Sequence, residues 1–465
     1  MRIESDFLGE KELPDGAYYG IQTLRALENF SVTNVPLKAY PQLIKALAMV
    51  KKAAAAANLQ LGVLTEKVAS AIIQAADEII EGKFLDQFPI DILQATNTSF
   101  NMNMNEVLAN RASEMLGGAK GEYQVIHPND HVNKSQSTND VASTASKIAC
   151  ILLTRQLVQA LKELEDALRR KAEEFADVIK IGRTCLQDAV PMTLGQEFEG
   201  YASIVGMMRE SVLSTEKVLS EINLGGTAIG TGLNAPRGYR RIALKKLNEI
   251  SGCSLRGARS LFGATQNEEA VAILSGKLKT LAVSLSKIAS DLSLLSSGPQ
   301  AGLNEINLPA LQPGSSIMPG KVNPVVPLLV NQVAYLVSGY DLAISMAIAG
   351  GQLEVNANGP VIDYCILESF KILIHAVEVF TNKCVTGITA NREICEAYAQ
   401  QSAGLATALI PLFGYETAAS VAREAIARKT TVVEIVVERG LLEKEKAEKL
   451  LLPTNLIGPT GTQKD

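Results

Sequence analysis

The chain has 465 residues, about three times a typical domain, which argues against one small module and for two or three structural units. Apolar residues make up 47% and charged residues 20%, far from a disordered composition, and with 5% aromatics and no Trp the core must come from Ala, Leu, Ile and Val. A net charge of −5, from 44 basic and 49 acidic side chains, argues against a nucleic-acid binder that works through a general basic face.

The N-terminus carries Arg2, Glu4 and Asp6 and shows no secretory signal, so a cytoplasmic location is the expectation. Residues up to about 140 read as shorter helices, among them Pro41–Ala57 and Glu66–Glu81. From Val141 to Ile181 there is no Gly or Pro, and Leu153, Leu157, Leu161, Leu164 and Leu168 recur at helical spacing, which predicts a helix much longer than usual. Further long helices are predicted over about Leu194–Asn223, Gln266–Ser297, Pro327–Ala347 and Val361–Thr386. Connections rich in Gly, Pro and Asn, such as Gly225–Tyr239 and Ser297–Val325, separate them. Five such helices imply a bundle.

The stretch between Lys321 and Asp341 has no charge but contains Pro324, Pro327, Asn323, Asn331 and Gln332, so it reads as a buried protein helix and not as a membrane span. Being apolar on nearly all faces, it should be enclosed by copies from other subunits, which predicts an obligate homo-oligomer. The last 70 or so residues, with Ala418–Ala427 and Thr431–Glu438, read as a small helical unit, and Gly458–Asp465 as a frayed tail. Strand content should be minor.

Three hydroxyl-rich clusters stand before predicted helices: Asn97-Thr98-Ser99, Ser135 to Asp140, and Gly182-Arg183-Thr184-Cys185 ahead of the Thr193 helix. Taken singly they read as helix caps; taken together they offer N–H and O–H donors to an anion such as a carboxylate. A fourth cluster, Gly314-Ser315-Ser316-Ile317-Met318-Pro319-Gly320-Lys321-Val322-Asn323-Pro324, reads as a mobile lid bearing two Ser and one Lys. It lacks the spacing of a nucleotide phosphate loop. His127 and His131 flank Pro128-Asn129-Asp130, which predicts a turn and not two metal ligands on one helix face, so no metal site is expected. His375 sits in an apolar helix and reads as a core or interface residue. The six cysteines form no C-x-x-C pair and read mostly as reduced, buried small hydrophobes.

In this order the clusters resemble the aspartase/fumarase superfamily of lyases. GSSIMPGKVNP at Gly314–Pro324 is the most diagnostic piece, joined by His127–Asp140, TSFNMNMNEVLANRA at Thr98–Ala112 and GRTCLQDAVPMTLGQEF at Gly182–Phe198. Ser137-Thr138-Asn139 and Leu186 to Pro191 are most similar to the aspartate ammonia-lyase branch. The resemblance implies an all-α, three-domain subunit: an N-terminal helical domain over 1–138, a central long-helix bundle over 139–393, and a small C-terminal helical domain over 394–465. It implies a homotetramer whose active sites each draw on three chains, a small dicarboxylate or amino-acid substrate, no cofactor, and no nucleic-acid or membrane partner. It assigns Ser315 as the catalytic base. Ser137, Thr138, Ser316 and Thr98 hold the β-carboxylate, and Thr184, Lys321 and Asn323 hold the α-carboxylate. Asn139, helped by Thr98, accepts from the substrate amino group.

The sequence departs from this pattern at four places. Cys185 stands where many relatives have His near the leaving group, Leu328 where they usually have Glu, and Asn358 and Gly359 where they have Met and Glu. These departures mark Cys185 as a candidate for the leaving-group pocket. They keep open a related C–N lyase that releases a different amine, beside a fumarase and a non-catalytic homologue.

Overall fold

The computed structural model describes residues 1–457, and the tail from Gly458 to Asp465 lies outside the described residues. The fold is all-α: among the described residues there are sixteen α-helices, and the strands pair only as four two-stranded ribbons. The chain forms two compact units. The first comprises residues 1–158, 210–280 and 335–374, and the second residues 159–209, 281–334 and 375–465.

The first unit begins with a hairpin, Arg2–Asp6 against Gly9–Leu13, followed by helices Pro41–Gln60, Glu66–Ile80 and Thr98–Met115. Pro41 sits at the first helical position, where its missing N–H costs nothing, and Ala46, Ala53, Ala54 and Ala57 are buried. Small side chains let neighbouring helices approach closely, which is how an aromatic-poor sequence still fills a core.

The predicted long helix runs Thr138–Glu174, 37 residues, and buries Leu157, Leu161, Leu164 and Leu168 completely. It stops before the predicted end at Ile181. Val178, Ile179 and Ile181 are β-branched, and Ile179–Thr184 instead pairs as a strand with Gln187–Thr193. The other long helices span Leu194–Leu213, Glu269–Leu295, Val325–Ala349 and Gly359–Lys383, close to expectation except that the first ends ten residues before Asn223. Towards the C-terminus, Ile410–Arg428 and Val432–Glu438 pack Val421, Ile435 and Val436 with Leu405 and Leu409. Thr431 and Glu434 close a reciprocal capping box at the second of these helices, with bonds of 3.2 and 3.1 Å.

Val325–Ala349 buries one face, with Val326, Val330, Val333, Ala334, Val337, Ile344 and Ala347, and leaves a second apolar face exposed, with Leu328, Leu329 and Leu336 on it. Tyr335 and Met346 are each 68% exposed and Leu342 is 62% exposed. His375 is not a core residue of the single chain: its ring is exposed and faces Glu378 at 3.2 Å, because its helical phase turns it away from buried Leu373 and Val377.

Candidate functional site

The predicted site residues divide between the two units. Thr98, Ser137, Thr138 and Asn139 belong to the first; Thr184, Cys185, Ser315, Ser316, Lys321 and Asn323 belong to the second.

In the first unit the turn before the long helix is held from below by buried polar groups. Asp140 is fully buried, and its carboxylate accepts from Ser137 N at 2.9 Å, Gly225 N at 2.9 Å and Thr227 N at 3.0 Å. Burial pushes this acid up to about 6, against the pull of those N–H groups. Lys51 is also fully buried, and its ammonium donates to Asn133 Oδ1 and Gln136 Oε1, both at 2.9 Å. Burial pushes Lys51 down to about 7, with the charge of Asp140 opposing. Asn101 Nδ2 bridges Asn133 Oδ1 at 3.2 Å and Thr138 Oγ1 at 3.1 Å, and Asn105 Nδ2 adds a bond of 3.2 Å to Asn133 Oδ1. Sequence reasoning missed Lys51, Asn101, Asn105 and Asp140. The available signal was the recurrence of Asn at 97, 101 and 105, at four-residue spacing, which places them along one face of a helix.

Above this layer lies a cavity of about 150 Å³, lined by Thr98, Thr138 and Asn139 together with Asn97, Glu268 and Gly359. Ser137 lies beside it, and its Oγ accepts the Asn139 N–H at 3.4 Å. Asn139 Nδ2 donates to Ala228 O at 2.7 Å, which fixes the amide with Oδ1 as its acceptor. A Cβ at Gly359 would fall 2.3 Å from Asn97 Nδ2, so the missing side chain is what lets Asn97 close on this wall. Asn358 is structural: its Nδ2 caps the helix Val325–Ala349 through Ala347 O at 3.1 Å.

In the second unit, Thr184 lies ahead of the Thr193 helix but is not a helix cap. It ends a strand at the tip of a hairpin, and Cys185 and Leu186 make the two-residue turn with φ of 53° and 62°. Such a tight connection demands left-handed backbone at both positions, here without glycine. The helix cap lies further on, at Thr193, which exchanges bonds of 3.0 and 2.9 Å with Gln196. The base of the hairpin is fixed by Glu305, which pairs with Arg183 at 2.8 Å and Lys180 at 3.0 Å. Cys185 carries the exposed thiol; the other five cysteines are buried, and all six are free.

The Ser315 loop is built around its own backbone. Ser315 Oγ accepts from Ile317 N at 3.2 Å and Met318 N at 3.1 Å. Gly314 N donates to Lys321 O at 2.7 Å, and Asn323 Nδ2 to Gly314 O at 2.8 Å. A Cβ on Gly314 would come 2.8 Å from the Lys321 carbonyl, so only glycine permits this closure. Ser316 and Lys321 are exposed.

The His127 and His131 rings serve the turn they flank. His127 Nδ1 accepts from Asn129 N and Asp130 N, each at 3.1 Å, and His131 Nδ1 accepts from His127 N at 2.8 Å.

A family model described as lyase matches residues 9–339, and one described as the fumarase C C-terminus matches residues 405–458. Aspartate ammonia-lyase from Helicobacter pylori is 54% identical over 465 residues, covering 100% of this chain and 99% of that protein. Its namesake from Escherichia coli is 49% identical, covering 99% and 96%. Among solved structures, the cobalt-bound fumarate lyase:delta crystallin of Brucella melitensis superposes with a TM-score of 0.95 at 51% identity, covering 98% of this chain and 99% of that one. The class II fumarase of Schistosoma mansoni gives a TM-score of 0.94 at 37% identity, covering 98% of each chain.

Proposed function

This chain belongs to the aspartase/fumarase superfamily of lyases, and from its 54% and 49% full-length identity to two aspartate ammonia-lyases we propose that it is an aspartate ammonia-lyase, a carbon–nitrogen lyase converting L-aspartate to fumarate and ammonia. The reaction takes a weakly acidic proton from the carbon beside the β-carboxylate and forms a dianionic aci-carboxylate, which then expels ammonia. A free serine is far too weak a base for this step. The observation that carries the proposal is the pair of backbone N–H bonds into Ser315 Oγ, the polarisation an alkoxide requires. In this reading Ser315 removes the proton; Ser137, Thr138, Thr98 and Ser316 hold the β-carboxylate as its charge grows; and Thr184, Lys321 and Asn323 hold the α-carboxylate. The Asn139 orientation, with its amide N–H₂ engaged by Ala228, supports an acceptor role toward the amino group. The bare apolar surface of Val325–Ala349 supports a homotetramer in which copies of this helix cover one another and each active site draws on three chains.

The test is fumarate formation from L-aspartate by the purified oligomer, followed by ultraviolet absorbance. Turnover at millimolar substrate is the expected result, and none would overturn the reading. Faster turnover of L-malate would reassign the chain as a fumarase. A second reading, a related C–N lyase releasing a different amine, is favoured by the exposed Cys185 and the missing side chain at Gly359. Amine release from N-substituted aspartates in preference to aspartate would establish it.

A further inference from the structure

The proposed carboxylate binders account for the two negative charges of aspartate and leave its positive charge to be held. On the wall of the cavity that contains Asn139 stands Glu268. Its Oε2 is buried and meets no hydrogen-bond partner in the chain. The turn that carries it is fixed: Asn267 Oδ1 accepts from Glu268 N at 3.1 Å and from Asn356 Nδ2 at 2.8 Å. The nearby cation is Lys147, whose ammonium is already engaged with Glu221 O at 3.2 Å, and a second buried carboxylate, Asp363, adds negative charge, with Ser146 as its donor at 2.5 Å. Burial raises the pKa of both acids, that of Asp363 to about 7.

A buried carboxylate oxygen without a donor is costly to the folded chain, and the cost is relieved when a ligand brings the donor. Asn139 lines the same cavity and, with its Nδ2 engaged by Ala228 O, has Oδ1 as a neutral acceptor. We propose that Glu268 is the counter-charge for the substrate's ammonium group, accepting through Oε2 beside Asn139 Oδ1, and that it selects an amine over a hydroxyl as the leaving group. The proposal rests on the aspartate ammonia-lyase reading and adds a specificity residue to it. An ammonium satisfies both acceptors and neutralises the carboxylate, whereas the hydroxyl of malate brings one donor and no charge.

The experiment uses the oligomeric enzyme in the reverse direction, with fumarate and ammonium as substrates, and compares the wild type with Glu268→Gln. The expected result is an increase of about tenfold or more in the ammonium KM, the scale of a lost charge-assisted bond, with the fumarate KM and the inhibition constant of succinate within about twofold. Glu268→Asp keeps the charge and should restore part of the ammonium affinity; it also carries the test if the Gln variant does not assemble, as a smaller loss confined to ammonium. A merely structural role would move the fumarate and succinate constants along with that of ammonium, and such parallel movement, or an unchanged ammonium KM, overturns the assignment. A wild-type enzyme that fails to combine fumarate with ammonium would instead overturn the underlying ammonia-lyase reading.

Discussion

The Ser137–Asn139 cluster and the Ser315–Asn323 loop carry similar residue types and are held in opposite ways. The first rests on a buried polar layer in which Lys51, Asn101, Asn133 and Asp140 fix the turn from several directions. The second is largely exposed and is held by a few bonds within its own eleven residues, Gly314 to Pro324. Buried networks fix geometry, because every lost bond leaves a polar group stranded; a loop closed only on itself opens at little cost. The proposed reaction, which admits a dicarboxylate and then excludes water, would draw on both: a rigid cradle and, if Ser315 is the base, a movable one.

Three substitutions probe that contrast. Ser315→Ala should lower kcat by about 10²–10⁴-fold, the usual worth of a positioned base, and leave the oligomer intact by light scattering; activity within tenfold of wild type would show that the loop does not supply the base. Gly314→Ala forces its Cβ against the Lys321 carbonyl and should lower turnover by roughly 10²-fold through misplacement of Ser315. Its unfolding midpoint should barely change, since the loop lies outside the core. Both full activity and a collapsed midpoint would contradict a locally held loop.

Lys51→Met acts on the cradle and should appear first in stability. It strips a donor from Asn133 and Gln136 and should cost about 1–3 kcal/mol, measured by denaturant unfolding. The pH dependence carries a sign. Between about 7 and the ordinary lysine value of 10.5, the unfolded chain holds a proton on Lys51 that the folded chain has released. The contribution of Lys51 to wild-type stability therefore rises with pH across that window, and the Met variant should lose this rise. Identical pH profiles for the two proteins would show that Lys51 is not buried in the cradle as described.

Much of the helical frame was legible in the sequence, because leucine spacing and Gly/Pro breaks are local signals. The hairpin at 179–193 was not, since the run free of Gly and Pro continues to Ile181 and reads as helix into the first strand, and its turn uses Cys185 and Leu186 where glycine would have announced it. The motif residues could be named from their clusters, but not what holds them. Lys51 and Asp140 look like ordinary surface charges along the chain, and only packing of segments more than 80 residues apart buries them. Glu268 is equally silent, because an unpartnered oxygen is a property of its surroundings. The all-round apolar character of Val325–Ala349, by contrast, could be read directly, and its surface stands exposed on the single chain.

The carboxylate of Asp140 ties Ser137 to Gly225 and Thr227, which lie 85 and 87 residues beyond Asp140. Closing so long a loop costs conformational entropy, so that knot forms less readily than the local contacts of the turn, and it cannot form before Gly225 and Thr227 have been synthesised. A nascent chain emerging from synthesis therefore carries Ser137, Thr138 and Asn139 before that knot fixes the turn. The geometry of the turn arrives with a distant segment and not with the motif itself.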